Sequence, residues 1–194
     1  MITENKTNIA LFASGAGTNA ANIIQYFKER QTANVVLIVC NNPNAGVLKI
    51  AEENNIPAIL ITKEKFFKGD AYLPEVKNAA VDFIVLAGFL WKIPSLITNA
   101  YRNKIINIHP ALLPKYGGKG MYGNFVHEAV LSAKETESGI TIHFVDEFYD
   151  NGKIIFQISC PVYENDTADS LGKRIHALEY KYFPQVIEDL VIKS

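Results

Sequence analysis

The chain has 194 residues, and its 19 basic and 20 acidic side chains give a formal net charge of −1. Hydrophobic residues make up 48% and charged residues 20%, which is the balance of a globular protein with a sizeable core. A charge this small excludes strong attraction to nucleic acid or to an anionic membrane, so we expect only small-molecule partners. The length predicts one domain over residues 1–194.

The compartment is predicted from cysteine use and from the lengths of the apolar runs. Cys40 and Cys160 each lie in an apolar run, so we expect two buried free thiols and no disulfide. The most apolar stretch, 79–91, is too short to span a bilayer, and the run 9–13 is too short for the core of a signal peptide. We therefore expect a cytoplasmic protein that is a monomer or a homodimer.

Short apolar runs alternate with helical periodicity in the first half of the chain. We predict strands at 9–13, 35–40, 56–61, 83–87 and 104–108, and helices at 19–30, 46–54 and 68–80. Runs of valine, isoleucine and leucine without polar alternation suit parallel strands that are covered on both faces. Strands that alternate with helices imply right-handed crossovers. The fold class is therefore α/β, with a single doubly wound, mostly parallel sheet and helices on both faces.

The pattern changes in the last third of the chain. Two strand-like runs, 139–145 and 153–162, flank the sequence Asp150-Asn-Gly, and we expect these later strands to be partly antiparallel. A long helix is predicted from Ala168 to the C-terminus, with a kink at Pro184. In a doubly wound sheet ligands bind beyond the carboxyl ends of the strands, near the point where strand order reverses. The segments after the first, fourth and fifth strands are therefore the candidate sites.

The segment Ser14-Gly-Ala-Gly-Thr-Asn19 joins the first strand to the first helix. Its glycines let an anion approach the backbone, and the helix N-terminus supplies free N–H groups, so this loop suits one phosphate. A dinucleotide site is the rival, since Gly15, Gly17 and Ala20 fit its fingerprint. A dinucleotide site needs an acidic residue about 20 residues further on to bind the ribose. In this chain that segment, 40–44, reads Cys-Asn-Asn-Pro-Asn and contains no acidic residue. We therefore expect no NAD; a tight turn without a ligand is the third alternative.

The segment Ile-Asn107-Ile-His109-Pro closes the fifth strand. Residues two apart on a strand point to the same side, so the carboxamide of Asn107 and the imidazole of His109 project together. Acyl transfer uses such a pair, because both groups can donate a hydrogen bond to a developing oxyanion and histidine can move a proton. Two polar side chains that only satisfy loop backbone groups are the alternative.

Asp150 has two interpretations. It is a good turn residue between two strands, or it pairs with His109 and raises the pKa of that histidine. Two of the remaining histidines, His127 and His143, are each interpreted as satisfied structural residues. The third, His176, is interpreted with Glu179 as part of a solvated helix face. No spacing of His, Cys, Asp or Glu indicates a metal site, so we expect no metal.

Taken together, these segments resemble the phosphoribosylglycinamide formyltransferase family. The matching pieces are 14–19, 85–89, 106–116, 143–145, 150–152 and 179–184, so the resemblance covers nearly the whole chain. The Asn-x-His-Pro-x-Leu-Leu-Pro motif is specific to folate-dependent formyl transfer, and the glycine loop favours the glycinamide ribonucleotide branch. The resemblance implies a Rossmann-like enzyme that transfers the formyl group of 10-formyltetrahydrofolate to the amine of glycinamide ribonucleotide in purine biosynthesis.

The resemblance also implies roles for individual residues. The catalytic trio is matched by Asn107, His109 and Asp150. The family's residues that bind the substrate phosphate are matched by Gly17, Thr18 and Asn19. Another residue that contacts the ribonucleotide is matched by Glu179. The wall that holds the folate is matched by Phe89, Leu90, Trp91, Lys92 and Ile93, with His143 in a strand that leads to the same pocket. In this scheme Asn107 and protonated His109 stabilise the oxyanion, and Asp150 keeps His109 charged.

Three departures from the family pattern and several rival functions remain. The chain reads Leu90-Trp-Lys where relatives carry Met-Arg, has Gly69 where some place an arginine near the folate tail, and has a longer loop at 117–123.

The enzyme rivals are a methionyl-tRNA or sugar-nucleotide formyltransferase and a formyltetrahydrofolate hydrolase. A nucleotide-binding module without catalysis is the rival from another class.

Overall fold

Seven strands and seven helices are found within residues 6–192, the part of the chain that the computed structural model describes. The strands are β1 (Thr7–Ala13), β2 (Ala33–Cys40), β3 (Ala58–Leu60), β4 (Phe83–Leu86), β5 (Ile105–His109), β6 (Glu137–Phe144) and β7 (Ile154–Pro161). The helices are α1 (Thr18–Arg30), α2 (Gly46–Glu53), α3 (Lys63–Lys68), α4 (Leu73–Asn78), α5 (Ser95–Ala100), α6 (Asn124–Ser132) and α7 (Ala168–Val191).

All the strands belong to one sheet with the order β3-β2-β1-β4-β5-β6-β7. The pairs β3–β2, β2–β1, β1–β4 and β4–β5 are parallel, whereas β5–β6 and β6–β7 are antiparallel. This confirms the predicted doubly wound sheet with antiparallel later strands. The chain runs from β1 outward to β3 and then returns to the other side of β1 with β4, so strand order reverses between β1 and β4. A ligand crevice is expected above that point.

Helices cover both faces of the sheet, as predicted. Successive residues of β1 alternate between two hydrophobic clusters: Ile9 and Leu11 pack with α1, α2, α6 and α7, whereas Ala10 and Phe12 pack with α3, α4 and α5. Burial on both faces explains why the parallel strands have no polar alternation. Both cysteines are buried free thiols, as expected. Within residues 6–192, no helix is long and apolar enough to cross a membrane.

The helix predicted at 68–80 is right only for its middle part, where α4 lies. Lys68 instead ends the preceding helix α3, and the chain breaks at Gly69, where a Cβ would lie 2.8 Å from the Lys65 carbonyl oxygen. Pro74 lies in the first turn of α4, where its missing N–H leaves no hydrogen bond unmade. The helices α5 and α6 were not predicted. The long helix α7 continues through Pro184 and ends at Val191, and residues 193–194 lie outside the described range.

A buried carboxylate joins α7 to α1. Glu188 is 7% exposed and accepts hydrogen bonds from the Tyr26 hydroxyl at 2.5 Å, the Thr32 hydroxyl at 2.8 Å and the Arg30 guanidinium at 3.3 Å. Burial acts to raise the pKa of Glu188, but these donors together lower it. The network fixes α7 against the helix that follows the glycine loop, and so positions two elements that line the ligand crevice.

Candidate active site

A cavity of about 830 Å³ opens at the carboxyl ends of β1, β4 and β5. Every residue to which the family resemblance assigns a catalytic or binding role lines it. These residues are Gly17, Thr18, Asn19, Phe89, Leu90, Trp91, Lys92, Ile93, Asn107, His109, His143, Asp150 and Glu179. The cavity therefore lies where strand order reverses, the position expected for the ligand site of a doubly wound sheet.

The glycine loop forms one end of the cavity. Gly17 lies directly before α1 with φ of 79°, a left-handed conformation that favours glycine. A Cβ at this position would lie 2.8 Å from the Cα of Val47, so the close approach of α2 also requires glycine. The helix begins at Thr18, which is exposed and lines the cavity, and the first backbone N–H groups of a helix have no acceptor within it. This geometry suits an anion such as a phosphate.

Asn107 and His143 are directly opposite each other on β5 and β6. The Asn107 Nδ2 and the His143 Nε2 are 3.1 Å apart, and the His143 Nδ1 lies 2.9 Å from the Phe144 carbonyl oxygen. Because Nδ1 donates to that carbonyl, Nε2 of the neutral ring accepts a hydrogen bond from the Asn107 amide. The interpretation of His143 as a satisfied histidine is confirmed, and its partner is a site residue.

The His109 imidazole is buried at the end of β5, where it is 3% exposed. Its Nε2 lies 2.7 Å from the Tyr116 carbonyl oxygen, so this nitrogen carries a proton and donates it to that carbonyl. Its Nδ1 faces the Asp150 carboxylate at 3.6 Å from Oδ2. Burial lowers the pKa of His109, and Asp150 and the Tyr116 carbonyl oppose this without reversing it. The expectation of a raised pKa is wrong, because desolvation of the ring outweighs the carboxylate.

Asp150 is both a turn residue and a site residue. It lies in the β6–β7 loop with φ of 51°, and its Oδ2 accepts a hydrogen bond of 2.8 Å from the Gly118 N–H. Its Oδ1 is 3.5 Å from the Asn107 Nδ2 and 3.6 Å from the His143 Nε2. Burial acts to raise the pKa of Asp150, but the neighbouring His143 and His109 rings and the Gly118 N–H together lower it. The carboxylate is therefore held ionised among the polar groups at the strand ends.

Glu179 connects α7 to the glycine loop. It is 4% exposed, and its Oε2 accepts hydrogen bonds from the Asn19 Nδ2 at 2.9 Å and from the His176 Nδ1 at 2.8 Å. The hydrogen bond from His176 to this carboxylate raises the pKa of His176. The interpretation of this pair as a solvated helix face is wrong for Glu179, because α1 covers that part of α7. A carboxylate and an imidazole therefore lie beside the anion-binding loop.

An apolar wall forms another side of the cavity, immediately after β4. Its residues are the buried Phe89 and Ile93, the half-buried Trp91, and the exposed Leu90 and Lys92. The Trp91 ring packs against Phe66 and Phe67 of α3, with ring centroids 5.8 and 5.5 Å apart. The Leu90 N–H donates to the Ser14 hydroxyl at 2.9 Å, which ties the wall to the glycine loop. The wall gives the cavity a largely hydrophobic side, with the charged Lys92 exposed within it.

One buried residue that lines the cavity was not proposed as a site residue from the sequence. His127 lies on α6, is 2% exposed and lines the cavity, yet its Nδ1 has no hydrogen-bond partner within residues 6–192. The interpretation of His127 as a satisfied structural histidine is therefore wrong. No sequence signal could have found it, because its burial depends on contact between α6 and α7, which are far apart along the chain.

The arrangement combines groups that serve acyl transfer. An amide donor and an imidazole stand together beside an ionised carboxylate, with an anion-binding loop at one end and an apolar wall at the side. Among residues 6–192, no group of three or more His, Cys, Asp or Glu side chains is arranged to hold a metal ion. The polar groups of the chain itself can stabilise a developing oxyanion and move a proton.

Comparison with known proteins agrees with this geometry. A family model described as formyl transferase matches residues 7–187. The phosphoribosylglycinamide formyltransferase of Bacillus subtilis is 37% identical over 94% of this chain and 93% of its own length. The chloroplastic phosphoribosylglycinamide formyltransferase of Arabidopsis thaliana is 39% identical over 94% of this chain, which spans only 64% of that relative.

Among solved structures, glycinamide ribonucleotide transformylase 1 from Geobacillus kaustophilus superposes with a TM-score of 0.88 and 34% identity. The match covers 96% of this chain and the whole of the other. The fold thus has a counterpart of about the same size. The chain belongs to the formyl transferase family.

Proposed function

We propose that this protein is a phosphoribosylglycinamide formyltransferase, which transfers a formyl group to the amine of glycinamide ribonucleotide. The observation that carries the proposal is the meeting of Asn107, His109 and Asp150 at the strand ends, in one cavity with the glycine loop. The relatives with that name support the choice of substrate. In this proposal residues 1–194 act as a single catalytic domain.

The two substrates fit different parts of the cavity. The glycine loop, with Gly17, Thr18 and Asn19, binds the phosphate of the ribonucleotide, and Glu179 accepts hydrogen bonds from its hydroxyl groups. Membership of the family implies a folate-derived formyl donor. We propose 10-formyltetrahydrofolate, whose planar pterin packs against the apolar wall 89–93. The absence of an acidic residue after β2 favours a monophosphate over NAD as the ligand of the loop.

The amine of the ribonucleotide attacks the formyl carbon, and the formyl oxygen becomes an oxyanion. The Asn107 amide donates a hydrogen bond to that oxygen, and His109 donates one from Nδ1 in its protonated form, which Asp150 favours against the effect of burial. The bond from the formyl carbon to the folate nitrogen then breaks. The amine loses one proton and the folate nitrogen gains one, and a water held by Asp150 carries it between them. Because no covalent enzyme intermediate is formed, positioning and electrostatic stabilisation supply the rate.

The proposal is tested by incubating the protein with 10-formyltetrahydrofolate and glycinamide ribonucleotide and following the formylated product. Asn107→Ala is the matched variant, and we expect it to lower turnover by about 10² or more, as for loss of one oxyanion donor. Asn107 lies at a strand end, so the variant should keep the fold, with a modest drop in melting temperature because the buried His143 Nε2 loses its donor.

Calorimetry with glycinamide ribonucleotide and with NAD tests the glycine loop separately. We expect the ribonucleotide to bind and NAD not to bind. Tight NAD binding without formyl transfer would refute the assignment, and an Asn107→Ala variant with normal turnover would remove that residue from the mechanism.

A further inference from the structure

A single turn in the loop after β5 holds two residues of the proposed catalytic trio. The Tyr116 carbonyl accepts a hydrogen bond of 2.7 Å from the His109 Nε2, and the Gly118 N–H donates one of 2.8 Å to the Asp150 Oδ2. Between these two contacts, a Cβ on Gly117 would lie 3.2 Å from the Asp150 Cβ, so the turn packs closely against that residue. The position of the turn therefore sets where both side chains lie.

The Tyr116 carbonyl also decides which nitrogen of His109 is left for the reaction. Because Nε2 donates to this carbonyl, Nδ1, which lies 3.6 Å from the Asp150 Oδ2, is the nitrogen that can donate to an oxyanion. The same hydrogen bond acts to raise the pKa of His109, since it stabilises the charged ring. Without it, the ring would lose its fixed orientation and its charged form would be less stable.

Tyr116 adopts a backbone conformation that a bulky residue rarely takes. Its φ is 58°, in the left-handed region. A residue strained in this way persists only where the surrounding contacts hold it, and such residues cluster at functional sites. The contacts that hold Tyr116 are therefore the ones that keep its carbonyl directed at His109.

The side chain of Tyr116 is anchored to Glu135, which lies in the loop between α6 and β6. The Tyr116 hydroxyl donates to the Glu135 Oε1 at 2.8 Å, and the Lys115 ammonium donates to the same oxygen at 2.8 Å. These two donors lower the pKa of Glu135, so the acceptor is an ionised carboxylate. The Tyr116 ring also packs against the hydrophobic cluster that contains Ile9 and Leu11.

This anchor lies outside the cavity that binds the substrates in the proposed function. The side chains of Tyr116 and Glu135 line a second cavity, of about 230 Å³. Within residues 6–192, none of the residues that line this second cavity also lines the active-site cavity. The two side chains can therefore act on the reaction only through the turn that holds His109.

We propose that Tyr116 is a positioning residue for formyl transfer, which holds the His109 imidazole through its backbone carbonyl and is itself held by the hydrogen bond from its hydroxyl to Glu135. The proposal rests on the proposed function, since it requires that His109 stabilises the oxyanion. It gives an indirect part in the reaction to two side chains that do not line the active-site cavity.

Four variants separate positioning from general stability. Tyr116→Phe removes only the hydroxyl, and Glu135→Leu removes its acceptor, whereas Glu135→Gln keeps an acceptor oxygen and is the conservative variant. Tyr72→Phe is the matched control. Tyr72 also has a left-handed backbone, with φ of 57°, and its hydroxyl accepts a hydrogen bond of 3.0 Å from the Thr62 N–H, but it does not line the active-site cavity.

Steady-state kinetics, titration of His109 by NMR and melting curves are measured for each protein. We expect Tyr116→Phe and Glu135→Leu each to lower kcat about fivefold, the effect of one hydrogen bond, with little change in either KM. Glu135→Gln should retain most of the activity, and the double variant of Tyr116→Phe with Glu135→Leu should lose no more than either single one. Tyr72→Phe should melt at a lower temperature with kcat unchanged.

The pKa of His109 should fall in Tyr116→Phe, because the contact that favours its charged form is loosened. The titratable groups that act on His109 are Asp150, His143 and Glu179, and they are the same in every variant. A change in this pKa therefore reports the Tyr116 carbonyl, and Tyr72→Phe should leave the titration in place.

Two results would overturn the proposal, and they are distinguishable. If the wild type transfers the formyl group and Tyr116→Phe changes only the melting temperature, as Tyr72→Phe does, the anchor only stabilises the fold and the proposed function stands. If the wild type transfers no formyl group to glycinamide ribonucleotide, the proposed function and the role of Tyr116 are both wrong. If Tyr116→Phe does not fold, the comparison of Glu135→Leu with Glu135→Gln decides.

Discussion

Asn107 of β5 and His143 of β6 form a cross-strand pair in which the amide donates to the imidazole, with 3.1 Å between Nδ2 and Nε2. The hydrogen bond from His143 Nδ1 to the Phe144 carbonyl fixes the tautomer that makes this possible. One N–H of Asn107 is therefore held by the sheet, and the orientation of the whole amide group is fixed. An oxyanion donor held this way needs little reorganisation during the reaction.

His143→Leu should lower kcat about tenfold, because the Asn107 amide loses the acceptor that orients it. The KM for the folate should change little. His143→Gln keeps an acceptor in the side chain and is the matched control, expected to retain more activity. Steady-state kinetics with both substrates make the comparison. The opposite pattern, a higher KM for the folate at unchanged kcat, would show that His143 contacts the folate and does not position Asn107.

Asp150→Asn should lower the pKa of His109 further. Burial already lowers that pKa, and Asp150 is the strongest influence that opposes the shift. Asn tolerates the left-handed backbone at φ of 51° and can still accept from the Gly118 N–H, so the turn should persist. Titration of His109 by NMR in the two proteins measures the change directly, and a melting curve should show little loss of stability.

The same variant should change the pH–rate profile in a defined direction. A histidine loses its charge as the pH rises through its pKa, and the charged form is the one that stabilises the oxyanion. A lower pKa of His109 therefore moves the alkaline limb of the profile to lower pH, with the largest loss of turnover on that side. If the titration of His109 and the alkaline limb both stay in place, Asp150 is only a turn residue.

The sheet was predictable from sequence because its strands are buried on both faces. Consecutive apolar residues such as Ile9 and Ala10 pack into the hydrophobic clusters on opposite faces of the sheet. Such strands lack the alternation of polar and apolar residues that would indicate an exposed face. The short helices were not predictable in the same way. Six residues, as in α5, are too few for helical periodicity to be informative. Pro74 indicated a weakened helix interior, but in the structure it lies in the first turn of α4.

The site could be predicted where its residues are close along the chain. Asn107 and His109 are two apart on one strand, so their common direction follows from strand geometry. The contacts of Asp150 and Glu179 depend on tertiary packing: Glu179 meets Asn19 across 160 residues. The prediction that the pKa of His109 is raised was wrong for the same reason, because the burial that lowers it is a property of the folded chain. Local spacing carries no information about desolvation.

Glu188→Gln should destabilise the fold without changing the site chemistry. The pKa of Glu188 is lowered in the folded state, so its contribution to stability is full above the unfolded pKa and is lost as the pH falls through the folded pKa. We expect a loss of about 1–3 kcal/mol at neutral pH, which shrinks at acid pH. Melting curves from neutral pH to pH of about 3 measure this. Glu52→Gln, an exposed position on α2, is the control and should show no such loss.

The charge of His176 should make ribonucleotide binding depend on pH. The hydrogen bond to Glu179 raises the pKa of His176, and both groups lie next to the glycine loop through Asn19. While His176 is charged, it neutralises the Glu179 carboxylate that would otherwise repel a phosphate. As the pH rises through the pKa of His176, the carboxylate charge is no longer balanced, and we expect the Kd of the ribonucleotide to increase.

His176→Gln isolates this effect. The second ionisation of the phosphate has a pKa of about 6 and also changes binding with pH, but it contributes equally to both proteins. The ratio of the variant Kd to the wild-type Kd therefore reports His176 alone. We expect this ratio to be largest at acid pH, about five- to tenfold for one charge near the phosphate, and to fall towards one at alkaline pH. Calorimetry at several pH values and constant ionic strength gives the ratio. A ratio that stays the same at every pH would show that His176 contacts the ligand without acting through its charge.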